Sequence, residues 1–266
     1  MYKRQVSAGA ESDPGTFAGR TYATVEHDGV TDQVAVEEPL EIRVDGGPVA
    51  VTMRTPGHDE ELALGFLFGE GLIDSARAVG PPEDLAANAV EVAGPLLREP
   101  ARRSFYATSS CGVCGKGALE EVAVHSEPIG DGPRMPRELL AGLPDRLRQP
   151  TFERTGGLHA TGLFDVDGEL LIAREDVGRH NAMDKVIGRA LMDGAVPLGE
   201  RALCVSGRLS FELVQKAAVA GVPILVGVGA PSSLAVELAA HRRITLGGFA
   251  RGGRVNVYSG IERVSG

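Results

Sequence analysis

The chain contains one long uncharged run, from Ala217 to Val236, and the way this run folds decides what class of protein the chain is. The run is long enough for a membrane-spanning helix. Glycines and prolines interrupt it, at Gly221, Pro223, Gly227, Gly229 and Pro231. Such residues break a helix, and broken backbone in lipid leaves polar groups without partners. The run therefore predicts the end of one helix, a buried strand at Pro223–Val228 and the start of another helix.

The second half of the chain alternates short apolar segments with segments of helical periodicity. Its predicted elements are the strands Ala160–Asp165 and Glu169–Arg174, the helix Asn181–Met192, the strand Ala202–Val205, the helix Ser210–Ala220, the strand Pro223–Val228, the helix Ser232–His241 and the strand Arg254–Tyr258. Asparagine commonly caps a helix start, so we expect Asn181 at the N-cap. Buried strands that alternate with helices predict an α/β fold.

The first half is less regular. Residues 21–44 predict short strands, Asp45-Gly46-Gly47 predicts a hairpin turn, and Asp59–Ile73 predicts a helix. A stretch rich in glycine and proline at residues 125–136 separates the halves. We therefore predict a flexible tail over residues 1–20, a smaller α+β domain over residues 21–130 and a larger α/β domain over residues 131–266.

Charge and cysteine content narrow the function classes. With 27 Lys and Arg against 36 Asp and Glu, the net charge of -9 disfavours non-specific binding to nucleic acid or to an anionic membrane. The chain has only 3 cysteines, and the residues that follow Met1 show no apolar signal region. We expect a cytoplasmic protein that has neither nucleic acid nor a membrane as its partner.

Two of the cysteines, Cys111 and Cys114, form a Cys-x-x-Cys pair just before a predicted helix at Ala118–Val124. A cysteine near a helix start lies in positive potential, which lowers the thiol pKa below its free value of ~8.5. Lys116 adds positive charge, and the neighbouring glycines leave the sulfur accessible. These features favour a nucleophilic, sulfur-handling cysteine.

Three other interpretations of the pair stay open. A structural zinc site needs two more ligands, and the sequence has no second Cys-x-x-Cys and no His-x-x-x-His. A thiol–disulfide oxidoreductase would use both cysteines, and a buried inert pair would use neither. Cys204 lies in an apolar strand, where we expect it to be inert core. We expect no metal.

A basic glycine turn lies near the end of the chain. No Asp or Glu occurs from Ala239 to Ile261, and the segment Phe249-Ala250-Arg251-Gly252-Gly253-Arg254 joins two strand-like runs there. Glycines let backbone N–H groups approach an anion, and arginine binds phosphate through two parallel hydrogen bonds. The segment predicts a phosphate-binding turn, with an ordinary hairpin that carries solvated arginines as the alternative.

Three more polar segments, at residues 155–159, 174–181 and 206–210, contain glycine and lie beside predicted strands. Ligands bind at strand-to-helix junctions in α/β folds, so these segments could line a pocket. Helix capping and surface ion pairs are the alternative. We expect His159 to be a hydrogen-bonded structural histidine rather than a metal ligand.

Taken together, these motifs resemble one family, the FdhD proteins, which are formate dehydrogenase accessory sulfur carriers. The matching runs are SSCGVCGK at Ser109–Lys116, TGGLHA at Thr155–Ala160, REDVGRHNAMDK at Arg174–Lys185, SGRLSF at Ser206–Phe211 and FARGGRVNVY at Phe249–Tyr258. The resemblance implies a sulfurtransferase-type carrier that accepts persulfide sulfur from a cysteine desulfurase. The carrier would pass this sulfur to the molybdenum cofactor, bis(molybdopterin guanine dinucleotide), before the cofactor enters formate dehydrogenase.

The resemblance also implies site residues and an assembly. The persulfide falls on Cys111, with Cys114 in support, and the cofactor, bound as substrate, falls on Phe249, Ala250, Arg251, Gly252, Gly253 and Arg254. The C-terminal domain would be cytidine deaminase-like and the protein a homodimer. A thiol–disulfide oxidoreductase and a cofactor-binding chaperone without sulfur chemistry are the alternatives.

Overall fold

The computed structural model describes residues 20–100 and 126–266. Cys111 and Cys114 therefore lie outside the described residues, and so do residues 1–19 of the predicted tail. The strands are β1 (Tyr22–His27), β2 (Val30–Ala35), β3 (Glu38–Val44), β4 (Gly47–Arg54), β5 (Val79–Gly80), β6 (Ala89–Val92), β7 (Met135–Pro136), β8 (His159–Phe164), β9 (Leu170–Asp176), β10 (Ala202–Val205), β11 (Ile224–Gly227), β12 (Thr245–Arg251), β13 (Arg254–Ser259) and β14 (Val264–Ser265). The helices are α1 (Asp59–Gly69), α2 (Arg137–Arg146), α3 (Pro150–Thr155), α4 (Arg179–Met192), α5 (Phe211–Val219), α6 (Ser233–His241) and the short 3₁₀ helix Ile261–Arg263.

A six-stranded mixed sheet organises the second half, in the order β13-β12-β11-β10-β8-β9. Strands β10, β11 and β12 run parallel, whereas β8, β9 and β13 run antiparallel to their neighbours. Helices lie between the parallel strands in sequence, as such connections require. The predicted α/β class is confirmed. The likeness of this half to a cytidine deaminase domain stays a prediction.

Helices cover both faces of the six-stranded sheet, and the side chains of β10 point to the two faces in turn. Ala202 and Cys204 point to the face covered by α2, whereas Leu203 and Val205 point to the face that packs with α4, α5 and α6. Side chains of a strand alternate between faces, so a strand buried on both sides is apolar throughout. Cys204 is fully buried, as predicted for an inert core residue.

The first half packs onto the second through helix α1. A four-stranded sheet, in the order β4-β3-β6-β5, contributes Leu40 and Ile42 to the same core cluster that holds Leu62 of α1 and Met183 of α4. Because the two halves share this core, α1 fixes the position of α4. The division into domains at residues 130 and 131 stays a prediction.

Most elements follow the predicted boundaries, but the end of α1, which is Gly69 and not Ile73, and the start of α4 do not. The hairpin turn at Asp45 and Gly46 and the strand Ala202–Val205 are confirmed. The prediction that Asn181 caps α4 is wrong, because the helix begins at Arg179 with Gly178 as its N-cap. Asn181 lies inside the first turn, where its side chain makes tertiary hydrogen bonds instead.

The uncharged run from Ala217 to Val236 folds as predicted, into the end of α5, strand β11 and the start of α6. Within residues 20–100 and 126–266, no helix combines the length and the apolar character needed to cross a membrane.

Candidate functional site

Several strand ends meet at one edge of the six-stranded sheet. His159 begins β8 and pairs with Asp176, which ends β9. Val205 ends β10 and pairs with Thr161 on one side and with Gly227, the end of β11, on the other. The three polar segments singled out in the sequence therefore converge at this edge. In α/β sheets, ligands bind at the carboxyl ends of the parallel strands.

A buried ion pair stands directly behind this edge. Lys185 Nζ lies 2.7 Å from Asp176 Oδ2, and both side chains are almost fully buried. The Asp176 carboxylate also accepts hydrogen bonds from the backbone N–H of Gly178, the backbone N–H of Thr55 and the side-chain amide of Asn181. Such a pair survives burial because its remaining hydrogen-bonding capacity is satisfied. It ties the loop before α1 to the start of α4.

Other polar residues of this motif also serve the fold. Arg174 forms a two-pronged ion pair with Glu61 of α1, at 2.6 and 2.7 Å. Burial would raise the pKa of Glu61, but hydrogen bonds from Arg174 and from His58 lower it to about 2. Glu175 accepts the backbone N–H groups of Thr151 and Phe152 at the start of α3. Helix capping and ion pairs thus explain many of the polar side chains in the motif Arg174–Lys185.

The side chains left over from this structural network form a separate group, here called the strand-end cluster: His159, Arg179, His180, Arg208, Ser210 and Glu212. His180 Nε2 lies 3.0 Å from Ser210 Oγ and 3.7 Å from a carboxylate oxygen of Glu212. Gly207 brings its loop against this group, since a Cβ there would lie 3.3 Å from His159 Nδ1 and 4.0 Å from Arg179 Cδ. Contrary to the prediction for His159, its ring has no hydrogen-bond partner within residues 20–100 and 126–266.

The electrostatics of the strand-end cluster favour neutral histidines. Burial lowers the pKa of His180 to about 4, with further contributions from Arg179 and Lys216 against the opposing charge of Glu212. Burial and the two guanidiniums of Arg179 and Arg208 lower the pKa of His159 as well. Both imidazoles are therefore neutral near pH 7, in a region of positive potential.

The basic glycine turn is a hairpin that projects beyond the same edge. Arg251 of β12 pairs with Arg254 of β13, and the two residues between them, Gly252 and Gly253, have φ of 56° and 73°. A two-residue loop with positive φ at both positions is the turn that suits the twist of paired strands, and glycine adopts it without strain. Phe249 also has a positive φ, 54°, beside an irregularity in the strand pairing.

One face of this hairpin forms an open depression, lined by Phe249, Arg251, Gly252, Arg254 and Asn256. Phe249 is 44% exposed, so its ring is available for stacking. Ala250 points into the core and is fully buried, which leaves only its backbone for any ligand. Asn256 was missed by the sequence reasoning, although strand alternation from Arg254 places it on the same face.

The depression and the strand-end cluster are neighbours. Phe249 N–H donates to the carbonyl oxygen of Gly229 at 3.2 Å. A Cβ on Gly229 would lie 2.8 Å from Cα of Arg208, so the two loops touch through their backbones. The basic glycine turn and the strand-end cluster are thus joined through the backbone of the loop at Gly229.

The cysteines separate into two kinds. Burial raises the pKa of the Cys204 thiol, which leaves this residue protonated and unreactive. The predicted roles of Cys111 and Cys114 fall on residues outside the described ranges and stay predictions. Within the ranges that the structure covers, no three His, Cys, Asp or Glu side chains are grouped as metal ligands. The expectation that the protein holds no metal stays a prediction.

Comparison with known proteins places these features in a family. The chain is 52% identical over 252 residues to the sulfur carrier protein FdhD of Streptomyces coelicolor, across 88% of this chain and 89% of the relative. It is 50% identical over 254 residues to the sulfur carrier protein FdhD of Mycobacterium tuberculosis, across 88% and 92%. A crystal structure from Desulfotalea psychrophila, described as a formate dehydrogenase accessory protein, matches with a TM-score of 0.74 and 28% identity, over 94% of this chain and 100% of that chain. The family model of the FdhD/NarQ family matches residues 35–265, and the chain belongs to this family.

Proposed function

We propose that this protein is a cytoplasmic, homodimeric sulfur carrier that serves formate dehydrogenase. The observation that carries the proposal is its place in the FdhD/NarQ family, with relatives at about 50% identity that are named sulfur carrier protein FdhD. The Cys-x-x-Cys pair supplies the chemistry such a carrier needs, since a thiolate is the nucleophile in sulfur exchange.

Loading is a thiol–persulfide exchange with a cysteine desulfurase. The Cys111 thiolate attacks the terminal sulfur of the desulfurase persulfide. The S–S bond of that persulfide breaks, and the desulfurase cysteine leaves as a thiolate. Cys111 now carries the terminal sulfur, and no external oxidant or reductant is consumed.

Release uses Cys114 as the resolving thiol. Its thiolate attacks the inner sulfur at Cys111, and the terminal sulfur leaves as hydrosulfide for the molybdenum cofactor. The two cysteines then form a disulfide, so they supply the two electrons that reduce the transferred sulfur. A dithiol reductant returns the pair to its starting state.

The basic glycine turn binds the guanine dinucleotide end of the molybdenum cofactor. Arg251 and Arg254 are exposed on one face and, within the described ranges, have no carboxylate within 4.0 Å. Two such guanidiniums suit a diphosphate, and the exposed Phe249 ring suits a base. The cofactor is the substrate here, and it enters formate dehydrogenase after sulfur transfer.

Intact-mass measurement after incubation with a cysteine desulfurase and cysteine tests the sulfur proposal. Wild type and Cys204→Ala should gain the mass of one sulfur atom, whereas Cys111→Ser should not. Cys114→Ala should gain the adduct but release no sulfide and mature little formate dehydrogenase. Full maturation by Cys111→Ser would refute the sulfur carrier and favour the cofactor-binding chaperone.

Calorimetric titration with GDP tests the cofactor site separately. Hydrogen bonds to charged groups contribute about 1.5–3 kcal/mol each, so Arg251→Ala or Arg254→Ala should weaken GDP binding by about tenfold or more. Raising the salt concentration should weaken it as well, because the phosphate contacts are screened. Equal affinity in wild type and both variants would show that the turn is a hairpin with solvated arginines.

A further inference from the structure

We propose that the strand-end cluster is a second anion site, in which Arg179 and Arg208 bind a phosphate group. The site lies beside the basic glycine turn but uses different residues. Within the described ranges, no carboxylate forms an ion pair with either of these two arginines.

Arg179 and Arg208 come from different segments, the start of α4 and the loop after β10. Within residues 20–100 and 126–266, neither guanidinium has a carboxylate oxygen within 4.0 Å. Nε of Arg179 is buried and has no hydrogen-bond partner among the residues that the structure describes. Burial and the charge of Arg208 lower the pKa of Arg179, against the opposing charge of Glu212.

Glu212, the carboxylate whose charge acts on Arg179, is already engaged. Burial opposes ionisation of Glu212, but its own backbone N–H, the Ser210 hydroxyl and the charge of Arg179 hold its pKa below the ordinary value. Glu212 therefore offsets part of the positive potential without bridging the two arginines. A phosphate group supplies both the charge and the acceptor oxygens that are still lacking.

The backbone around the cluster adds to the positive potential. Helix α4 begins at Arg179, after the cap residue Gly178, and helix α5 begins at Phe211, after the cap residue Ser210. Among the described residues, neither helix start has a side-chain cap. The first N–H groups of a helix carry a partial positive charge. Gly207 brings the backbone of its loop close to the cluster, because a Cβ there would lie only 3.3 Å from His159 Nδ1.

The strand-end cluster is accessible from solvent. Arg208 is exposed and Arg179 half-buried, so an anion can enter without rearrangement of the core. The contact between Gly229 and Arg208 places the site next to the depression of the basic glycine turn. The shared chemistry is a phosphate group, from either the free anion or a nucleotide bound across both features.

Calorimetric titration of the full chain with inorganic phosphate, pyrophosphate and GDP tests the proposal. Arg208→Gln should weaken phosphate and pyrophosphate binding by about tenfold or more, because it removes one charged donor. Arg148→Gln is the matched control, since it removes one exposed arginine elsewhere and should leave both affinities unchanged. If Arg208→Gln also weakens GDP binding, the anion is part of the nucleotide. If GDP binding is unchanged, the site takes the free anion.

Proton NMR of the histidine rings locates the anion independently. A phosphate group between the arginines favours imidazolium nearby, so saturating phosphate should raise the pKa of His159. The exposed His27 on β1 is the control, and its ring resonances should not respond to phosphate. The proposal is overturned if Arg208→Gln and Arg148→Gln bind phosphate equally, or if wild type shows no saturable binding at concentrations on the order of 10 mM. Neither experiment uses a desulfurase or the cysteine pair, so failure here is distinct from failure of the sulfur carrier.

Discussion

The contact between helices α1 and α4 depends on two glycines, and replacing either with alanine should destabilise the whole fold. Gly65 of α1 and Gly188 of α4 face each other at the crossing. A Cβ on Gly65 would overlap the carbonyl oxygen of Asp184 and lie 2.6 Å from its carbonyl carbon and 2.9 Å from the backbone nitrogen of Gly188. Favourable contacts between heavy atoms occur at ~3.5–4.0 Å. The obstacle is helix backbone, which cannot rotate away as a side chain can.

The helices would have to separate by about an ångström to restore ordinary contact distances. Overpacking of a core costs about 1–3 kcal/mol and occasionally more. Because backbone rather than a side chain is displaced, we expect Gly65→Ala and Gly188→Ala to lose at least about 3 kcal/mol of unfolding free energy. At about 2–4 °C per kcal/mol for a chain of this size, the melting temperature should fall by roughly 6–12 °C.

Gly142 in α2 provides the matched control. A Cβ there meets nothing within 4 Å and the residue is helical, so Gly142→Ala should be neutral or stabilise by up to about 1 kcal/mol. Urea and thermal unfolding measure all three variants. A melting temperature of Gly65→Ala equal to that of wild type would refute the close approach of the two helices.

Two further predictions concern groups with shifted pKa values. Glu61 has a pKa lowered from 4.5 to about 2, so its ion pair with Arg174 stabilises the fold by up to about 3 kcal/mol above pH 4.5 and loses this as the pH falls towards 2. The unfolding free energy of wild type should therefore decrease between pH 4.5 and pH 2, and in Glu61→Gln this decrease should be smaller. Glu60→Gln changes an exposed neighbour, and its decrease should equal that of wild type. Cys204 should resist iodoacetamide in the folded protein and react in urea, as followed by peptide mass mapping, because burial raises its thiol pKa. Labelling of the folded protein at Cys204 would contradict this.

Local sequence signals predicted helices, strands and turns well where the structure depends on neighbouring residues alone. Asp45 and Gly46 form the expected hairpin turn because both adopt positive φ, which these residue types tolerate. The buried strands β10 and β11 were visible as apolar runs between glycines and prolines. Helix α1 ends at Gly69 rather than at Ile73, since the apolar residues after it pack as a loop.

Contacts between residues distant in sequence determine the features that local sequence signals did not predict. Asn181 has the right residue type for an N-cap, but the carboxylate of Asp176 and the carbonyl oxygen of Met53 bind its amide group. Met53 lies 128 residues earlier in the chain, so no local pattern could predict this bond. The convergence of residues 155–159, 174–181 and 206–210 likewise depends on the register of β8, β9 and β10, which a sequence does not state.

The motif Arg174–Lys185 shows how one run of polar residues divides between two tasks. Asp176 and Lys185 are buried against each other and hold the start of α4 to the loop before α1. Arg179 and His180 lie between them in sequence but face the strand-end cluster. Loss of one partner of a buried pair costs about 3–5 kcal/mol because a charge is left without compensation, whereas loss of a partly exposed arginine costs far less. Substitutions in this one motif should therefore separate stability from anion binding.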